Sequence, residues 1–269
     1  MNTRLTKEDQ TMIKEAKGNK VSGPIYNEDG LRLLKVLGNP EYLEVKNGVK
    51  AICDEACLGL DNLHDVVLPA SVTDLGTRAF ASCIKLFKIT MPGVDFIGIE
   101  SFAHCENLKE IALPETLGKI WKGAFADCKA LEETNIPSHL KIIDKSAFRN
   151  SGLKSLNIEI SDGGKCLVYD KAFASCKHLE SVYLNKNVKI LERMAFADCT
   201  SLKTIEFEQP SLTCCAGEIN ATMLIGCTSL EKIIVPKNKY NHYPDFNIQG
   251  YESAQFETRD FNSLVTPKE

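Results

Sequence analysis

Apolar and polar positions along this chain follow no single helical or strand period; they recur as a block of about 23 residues. Each block is marked by a box whose commonest form is Ala-Phe-Ala-x-Cys: Ala79-Phe80 with Cys83, Ala124-Phe125 with Cys128, Ala172-Phe173 with Cys176, and Ala195-Phe196 with Cys199. Variants keep the register: Ala56-Cys57 with Leu60, Ser101-Phe102 with Cys105, Ala147-Phe148 with Ser151, and Met223-Leu224 with Cys227. The second box residue therefore stands at 57, 80, 102, 125, 148, 173, 196 and 224. A fixed period of this length marks a stacked repeat, in which no unit buries its apolar face alone and a continuous core arises only between neighbours.

After each box the chain reads LxxIxLP or a close relative, as in Leu63-Val66-Leu68-Pro69, Leu108-Ile111-Leu113-Pro114 and Leu131-Thr134-Ile136-Pro137. Apolar alternation closed by proline is the pattern of a short half-buried strand, stopped by a residue that cannot donate to the ladder. A second apolar pair precedes the next box: Val72 and Leu75, Leu117 and Ile120, Leu140 and Ile143, Val188 and Leu191. These positions predict a right-handed α/β repeat solenoid. Its LxxIxLP strands form one parallel sheet on the concave face, about 4.8 Å apart, and the Ala-Phe boxes form short helical or 3₁₀ turns on the convex side. Eight or nine coils at that spacing give a sheet on the order of 40 Å long.

These residues resemble the BspA-type leucine-rich repeats, whose coil reads approximately LxxIxIPxxVxxIGxxAFxxCxx. The likeness runs from Leu31 to about Tyr243; Asp29-Gly30-Leu31 to Val49 looks like an opening unit, and Ile233-Ile234-Val235-Pro236 with Tyr240 and Tyr243 like a closing one. Departures are Trp121 where glycine is common, Ser151 in place of the box cysteine, and two lengthened units. The resemblance implies a leucine-rich-repeat binding scaffold, often on bacterial or protist surfaces, with no catalytic residues to carry over.

Three segments follow: a polar N-terminal extension or cap over 1–30, a solenoid over 31–236, and a C-terminal capping segment over 237–269. The first accommodates a short helix from Thr6 to Ala16, with Thr6 as N-cap and Asp9 at N3. The last carries Tyr240, Tyr243, Phe246, Tyr251, Phe256 and Phe261 without a further box. Insertions at 160–164 and 209–215 lengthen two coils; such insertions map to surface loops, where function often resides.

Composition narrows the chemistry. A formal charge of −4 and a pI near 5.8 oppose a nucleic-acid binder that relies on phosphate attraction. No run of 18 apolar residues marks a transmembrane helix. The N-terminus shows no apolar leader, which points to the cytoplasm if Met1 is the native start and to the cell surface or secretion if a leader has been removed. Cys83, Cys105, Cys128, Cys176, Cys199 and Cys227 share one phase with Phe80, Phe102, Phe125, Phe148, Phe173 and Phe196. They read as a buried, reduced structural ladder. Cys53 and Cys166 lie off that phase, and the adjacent Cys214-Cys215 pair is the one alternative for redox or metal chemistry. No CxxC, HExxH, GxSxG, phosphate loop or GxGxxG is present, so neither a cofactor nor catalysis is expected.

What remains is the exposed side of the strands, where side chains alternate with the buried ones. One column reads Tyr42, Asp65, Lys88, Glu110, Glu133, Ser155, Ser181, Thr204 and Lys232; the other reads Glu44, Val67, Thr90, Ala112, Asn135, Asn157, Tyr183, Glu206 and Ile234. The candidate partner-binding set is Tyr42, Asp65, Lys88, Glu110, Glu133, Asn135, Asn157, Tyr183 and Glu206. Trp121, placed on the helical side, is a second exposed-aromatic candidate. The expected partner is another protein, with a surface glycan as second choice, and the chain is expected to be a monomer. Self-assembly through the solenoid ends is the alternative.

Overall fold

The structure, a computed structural model, describes residues 2–208, 221–236 and 255–259. It opens with helix α1 (Lys7–Gly18), two residues longer at its end than expected. Thr6 Oγ1 accepts the Asp9 N–H at 3.2 Å, and the Asp9 carboxylate accepts the Thr6 N–H at 2.8 Å. This reciprocal pair satisfies two amides that have no partner within the helix. Asp9 is itself buried and receives both its Arg32 hydrogen bonds, 2.9 and 2.8 Å, from one guanidinium nitrogen. Beside that pair, Ile13 packs with Leu34 and Cys53, which joins the helix to the first coil.

The strands are short. In chain order they are β1 (Gly23–Tyr26), β2 (Arg32–Leu37), β3 (Tyr42–Glu44), β4 (Ala51–Ile52), β5 (Asp65–Val67) and β6 (Asp74–Leu75). There follow β7 (Lys88–Thr90), β8 (Phe96–Ile97), β9 (Glu110–Ile111), β10 (Lys119–Ile120), β11 (Ile142–Ile143) and β12 (Ser155–Ile158). The last are β13 (Cys166–Val168), β14 (Ser181–Leu184), β15 (Val188–Leu191), β16 (Thr204–Phe207), β17 (Lys232–Pro236) and β18 (Gln255–Arg259). Apart from the antiparallel β1–β2 hairpin, the strand pairs are parallel and join each coil to the next. The molecule is a β-solenoid of about eight turns.

Two parallel tracks run along it where the sequence indicated one. The LxxIxLP strands form the first, in two sheets, β3-β5-β7-β9 and β12-β14-β16-β17, the second extended by β18, which lies outside the LxxIxLP frame. The second apolar pair forms the other track, a sheet ordered β1-β2-β4-β6-β8-β10-β11-β13-β15. Each of its strands carries only two to four residues in the regular coils, too few to show alternation. Proline ends a first-track strand and starts the bend toward the second: the Val72, Leu117 and Leu140 amides each donate to the proline carbonyl three residues back, at 3.0 Å.

The boxes supply a third line of coil-to-coil bonds, and here the helical expectation is corrected. They are turns; among the described residues a 3₁₀ segment occurs only at Ala221–Leu224. The cause is backbone conformation. Ser82, His104, Asp127, Asn150, Ser175 and Asp198, one in each box, have φ between 58 and 62° or at 55°, and this left-handed geometry interrupts a right-handed helix. It turns the box amides toward the next coil, so Phe80 N–H donates to Ser101 O and Phe102 N–H to Ala124 O, each at 2.8 Å.

Inside, the six box phenylalanines are fully buried and form a continuous stack, with ring centroids 5.2 to 5.5 Å apart. Each box thiol donates to the carbonyl of the box residue one coil back: Cys105 to Phe80 and Cys227 to Phe196 at 3.1 Å, Cys128 to Phe102 and Cys199 to Phe173 at 3.2 Å. Cysteine is thus small enough for the crowded corner, and its thiol is a second donor to a carbonyl that already accepts an amide within its own box, as Phe80 O does from Cys83 N–H. At Ser151 the hydroxyl lies 3.3 Å from Cys176 Sγ and keeps the row polar-satisfied. The described cysteines are free thiols, and burial pushes Cys83 and Cys166 up to about 12.

Candidate functional site: the outward faces of the two tracks

The first-track face carries the residues singled out from the sequence, in two groups. Tyr42, Asp65, Lys88 and Glu110 are direct neighbours across β3, β5, β7 and β9. Asn157, Tyr183 and Glu206 are direct neighbours across β12, β14 and β16. The coil between the groups, residues 131–137, holds Glu133 and Asn135 but forms no strand.

Much of this face is already hydrogen-bonded within the chain. Tyr42 is exposed and donates to Glu44 at 3.2 Å. His64 Nδ1 lies 2.7 Å from Asp65 Oδ2, and Lys88 pairs with Glu110 at 2.8 Å, which holds the lysine above its usual pKa. Tyr183 is half-buried and its hydroxyl donates to Glu208 at 3.4 Å; burial and then the nearby carboxylates push it up to about 12. Glu206 pairs with Arg259. That pair reaches from β16 to β18 across β17, and beneath it Ile234, expected to be outward, is only 4% exposed.

The missing strand has a local cause. Thr134 occupies the inward position held by Val66, Ile89 and Ile111 in the preceding coils, and its buried hydroxyl has no hydrogen-bond partner. Beside it, the Asn135 side chain replaces the backbone ladder: Leu113 N–H donates to Asn135 Oδ1 at 3.0 Å and Asn135 Nδ2 donates to Leu113 O at 2.8 Å. Asn135 therefore serves the fold first. The interruption opens a groove of about 490 Å³ lined by Lys109, Glu110, Glu133, Ser155 and Asn157 among others. Glu133 is exposed at its edge.

Alongside the face, from the coil of Leu108 onward, runs a charge-alternating row at the residue after the first leucine: Lys109, Glu132, Lys154, Glu180, Lys203 and Glu231. Lys154 pairs with Glu132 and Lys203 with Glu180, both at 2.8 Å. Such exposed pairs contribute little stability each, but opposite charges on successive coils favour this one register.

The second-track face was not anticipated. Trp121, expected on a helical side, directly follows β10, and its ring meets Phe96 at 5.2 Å between centroids. Lys119 Nζ sits 3.5 Å from the indole centroid and 2.9 Å from an Asp144 oxygen. The signal for this face was the repeated four-residue apolar pair, with Trp121 standing where a glycine is usual.

The insertion at 160–164 is tied down: Asn185 and Asn187 donate to Ile160 O at 2.8 and 2.9 Å. Cys214, Cys215, the insertion at 209–215 and the aromatic residues from Tyr240 to Tyr251 and at Phe261 lie outside the described residues. Among the described residues no His, Cys, Asp or Glu group converges to hold a metal ion, and no helix is long and apolar enough to cross a membrane.

A family model described as the BspA type leucine rich repeat region matches residues 50–163 and 166–256 in six copies, more than half of the chain. Among solved structures the chain is similar to a leucine rich repeat protein of T. pallidum, at 23% identity over 78% of this chain and 88% of that one, with a TM-score of 0.48. It is also similar to a leucine rich cell surface protein from Faecalibacterium prausnitzii, at 20% identity over 79% and 86% of the two chains and a TM-score of 0.40. The pneumococcal vaccine antigen PcpA is 17% identical over 89% of this chain and 83% of its own, with a TM-score of 0.43. No curated protein matches the chain.

Proposed function

We propose, from the premise that this chain belongs to the BspA-type leucine-rich repeat family, that it is a non-catalytic scaffold binding another protein through the first-track face. In this reading the superhelix is right-handed, that face is the concave one, and the chain acts as a monomer. Residues 1–30 and 237–269 cap a solenoid of residues 31–236.

The observation that carries the reading is the groove at the missing strand. It breaks an otherwise regular face midway along the stack, and it presents the exposed Glu133 carboxylate beside Ser155 and Asn157. A basic side chain of a partner fits such a notch, with Tyr42, Asp65, Lys88 and Glu110 on one flank and Tyr183 and Glu206 on the other. A standard interface needs about 800 Å² from each partner, which strands stacked over eight coils can supply.

The test is affinity capture from the native host with the wild type and with a Glu133→Lys, Tyr183→Ala double variant whose circular dichroism matches wild type. A protein retained by the former and lost from the latter supports the reading. Identical captured sets remove it and leave the face a solvated surface.

A further inference from the structure

We infer that the second-track face is a separate docking surface, and that its partner is an acidic, extended peptide segment carrying apolar side chains. Phe96, Ile142 and Leu167 lie in the outward row of β8, β11 and β13, with Lys119 of β10 between Phe96 and Ile142. One step along the same face are Trp121 and Tyr169, two residues beyond Lys119 and Leu167. All five apolar or aromatic side chains are partly exposed. The Trp121 indole leans onto Phe96, while Gly98, two residues on in that coil, lies so close to the Gly76 backbone that a side chain there would clash. The result is an apolar band across four consecutive coils, roughly 15 Å long at the usual strand spacing.

This arrangement differs from scattered surface hydrophobes. Tryptophan and tyrosine dominate binding hot spots, and contiguous apolar surface with a polar rim marks interaction sites. The rim is lysine-rich: Lys122, Lys141, Lys145 and Lys165 are exposed around the band. Of the nearby carboxylates, Asp144 is neutralised by Lys119; Asp170 lies beyond Tyr169 at one end, and Asp74, the ladder neighbour of Phe96, and the exposed Asp95 stand at the other, so the lysine excess sits over the coils of β10 to β13. Charge therefore selects an acidic partner. The dimensions select an extended one, because five or six residues at about 3.3 Å each cover the band. This proposal does not depend on the groove of the first track.

Trp121 is the chain's one tryptophan, so its fluorescence reports on this face alone. The probe is a synthetic hexapeptide alternating glutamate with leucine or phenylalanine; its control carries lysine at each glutamate position. The acidic peptide should bind saturably, shift Trp121 emission to the blue, and weaken as salt rises. The lysine peptide should bind at least tenfold more weakly. In the native-like Lys141→Glu, Lys145→Glu variant, affinity for the acidic peptide should fall about tenfold or more, whereas Glu133→Lys should leave it unchanged. The proposal is overturned if both peptides bind alike, or if anisotropy saturates without any Trp121 response. It is also overturned if Trp121 shifts with protein concentration alone alongside dimerisation, which would assign the face to a second copy.

Discussion

Replacing Phe125 by alanine attacks the internal stack at its middle. The ring is fully buried and lies 5.3 Å from Phe102 and 5.2 Å from Phe148, centroid to centroid. Truncating a buried phenylalanine costs about 3–5 kcal/mol from lost transfer energy and the cavity left behind. Each aromatic pair contributes a further ~0.5–1.5 kcal/mol. Phe125→Ala should therefore cost roughly 4–6 kcal/mol, in the lower half of that combined range. Phe80, the first ring of the row, has Phe102 as its single ring neighbour at 5.5 Å; Phe80→Ala should cost about 1 kcal/mol less. Urea unfolding followed by circular dichroism, with Trp121 emission as a second probe in the same coil as Phe125, measures both. For a chain of this size about 1 kcal/mol moves Tm by 2–4 °C, so the central variant should melt roughly 8–24 °C below wild type. A loss under about 1.5 kcal/mol for Phe125→Ala, or a larger loss for Phe80→Ala, would refute the reasoning, because it would mean that the rings do not share one packed row.

Two further predictions rest on polar groups in the same interior. Burial raises Cys57 and Cys105 well above the ordinary 9.0 and lifts Cys53 and Cys83 to about 11 and about 12. The folded state thus holds thiol protons that the unfolded chain releases from pH 9 upward. Stability is fully present below pH 9 and is lost as pH rises through 9 to 12, with a slope of up to about 1.4 kcal/mol per pH unit for each such thiol; a pH series of urea midpoints that stays flat from 9 to 11 contradicts this. Thr134→Val keeps the side-chain shape and removes the buried hydroxyl that has no partner, so it should stabilise the protein by about 1 kcal/mol; a loss of stability would show that the hydroxyl has a role in the coil.

The stacked interior was legible because its signals are one residue wide and recur in the same order in every coil: the Ala-Phe box, its cysteine and the LxxIxLP frame together place Phe80 to Phe196 in one row. The second track was hidden because strands such as Lys119–Ile120 and Ile142–Ile143 are too short for alternation to register. Their pairing depends on the coils above and below. From the sequence alone Trp121 accordingly reads as a helical-side residue. The lost strand at 131–137 was hidden for the opposite reason. Leu131-Glu-Glu-Thr134-Asn-Ile136-Pro137 keeps the spacing of the frame with Thr134 at its inner apolar position, and the orphan Thr134 hydroxyl and the Asn135 grip on Leu113 show that the ladder stops there. Ile234 reads as outward from its strand phase, because the ion pair that covers it joins residues 53 apart in the chain.

Distances between spin labels count the coils directly. Ile84, Lys177, Thr200 and Thr228 are exposed and each follows its box by the same four residues, so pairs from residue 84 to 177, 200 and 228 span four, five and six coils. With cysteines introduced at these sites, Cys214 and Cys215 changed to serine and the buried thiols left in place, the three mean distances should lengthen in near-equal steps of about 5 Å. Distances that fail to grow with coil number would contradict the stack on which everything else rests.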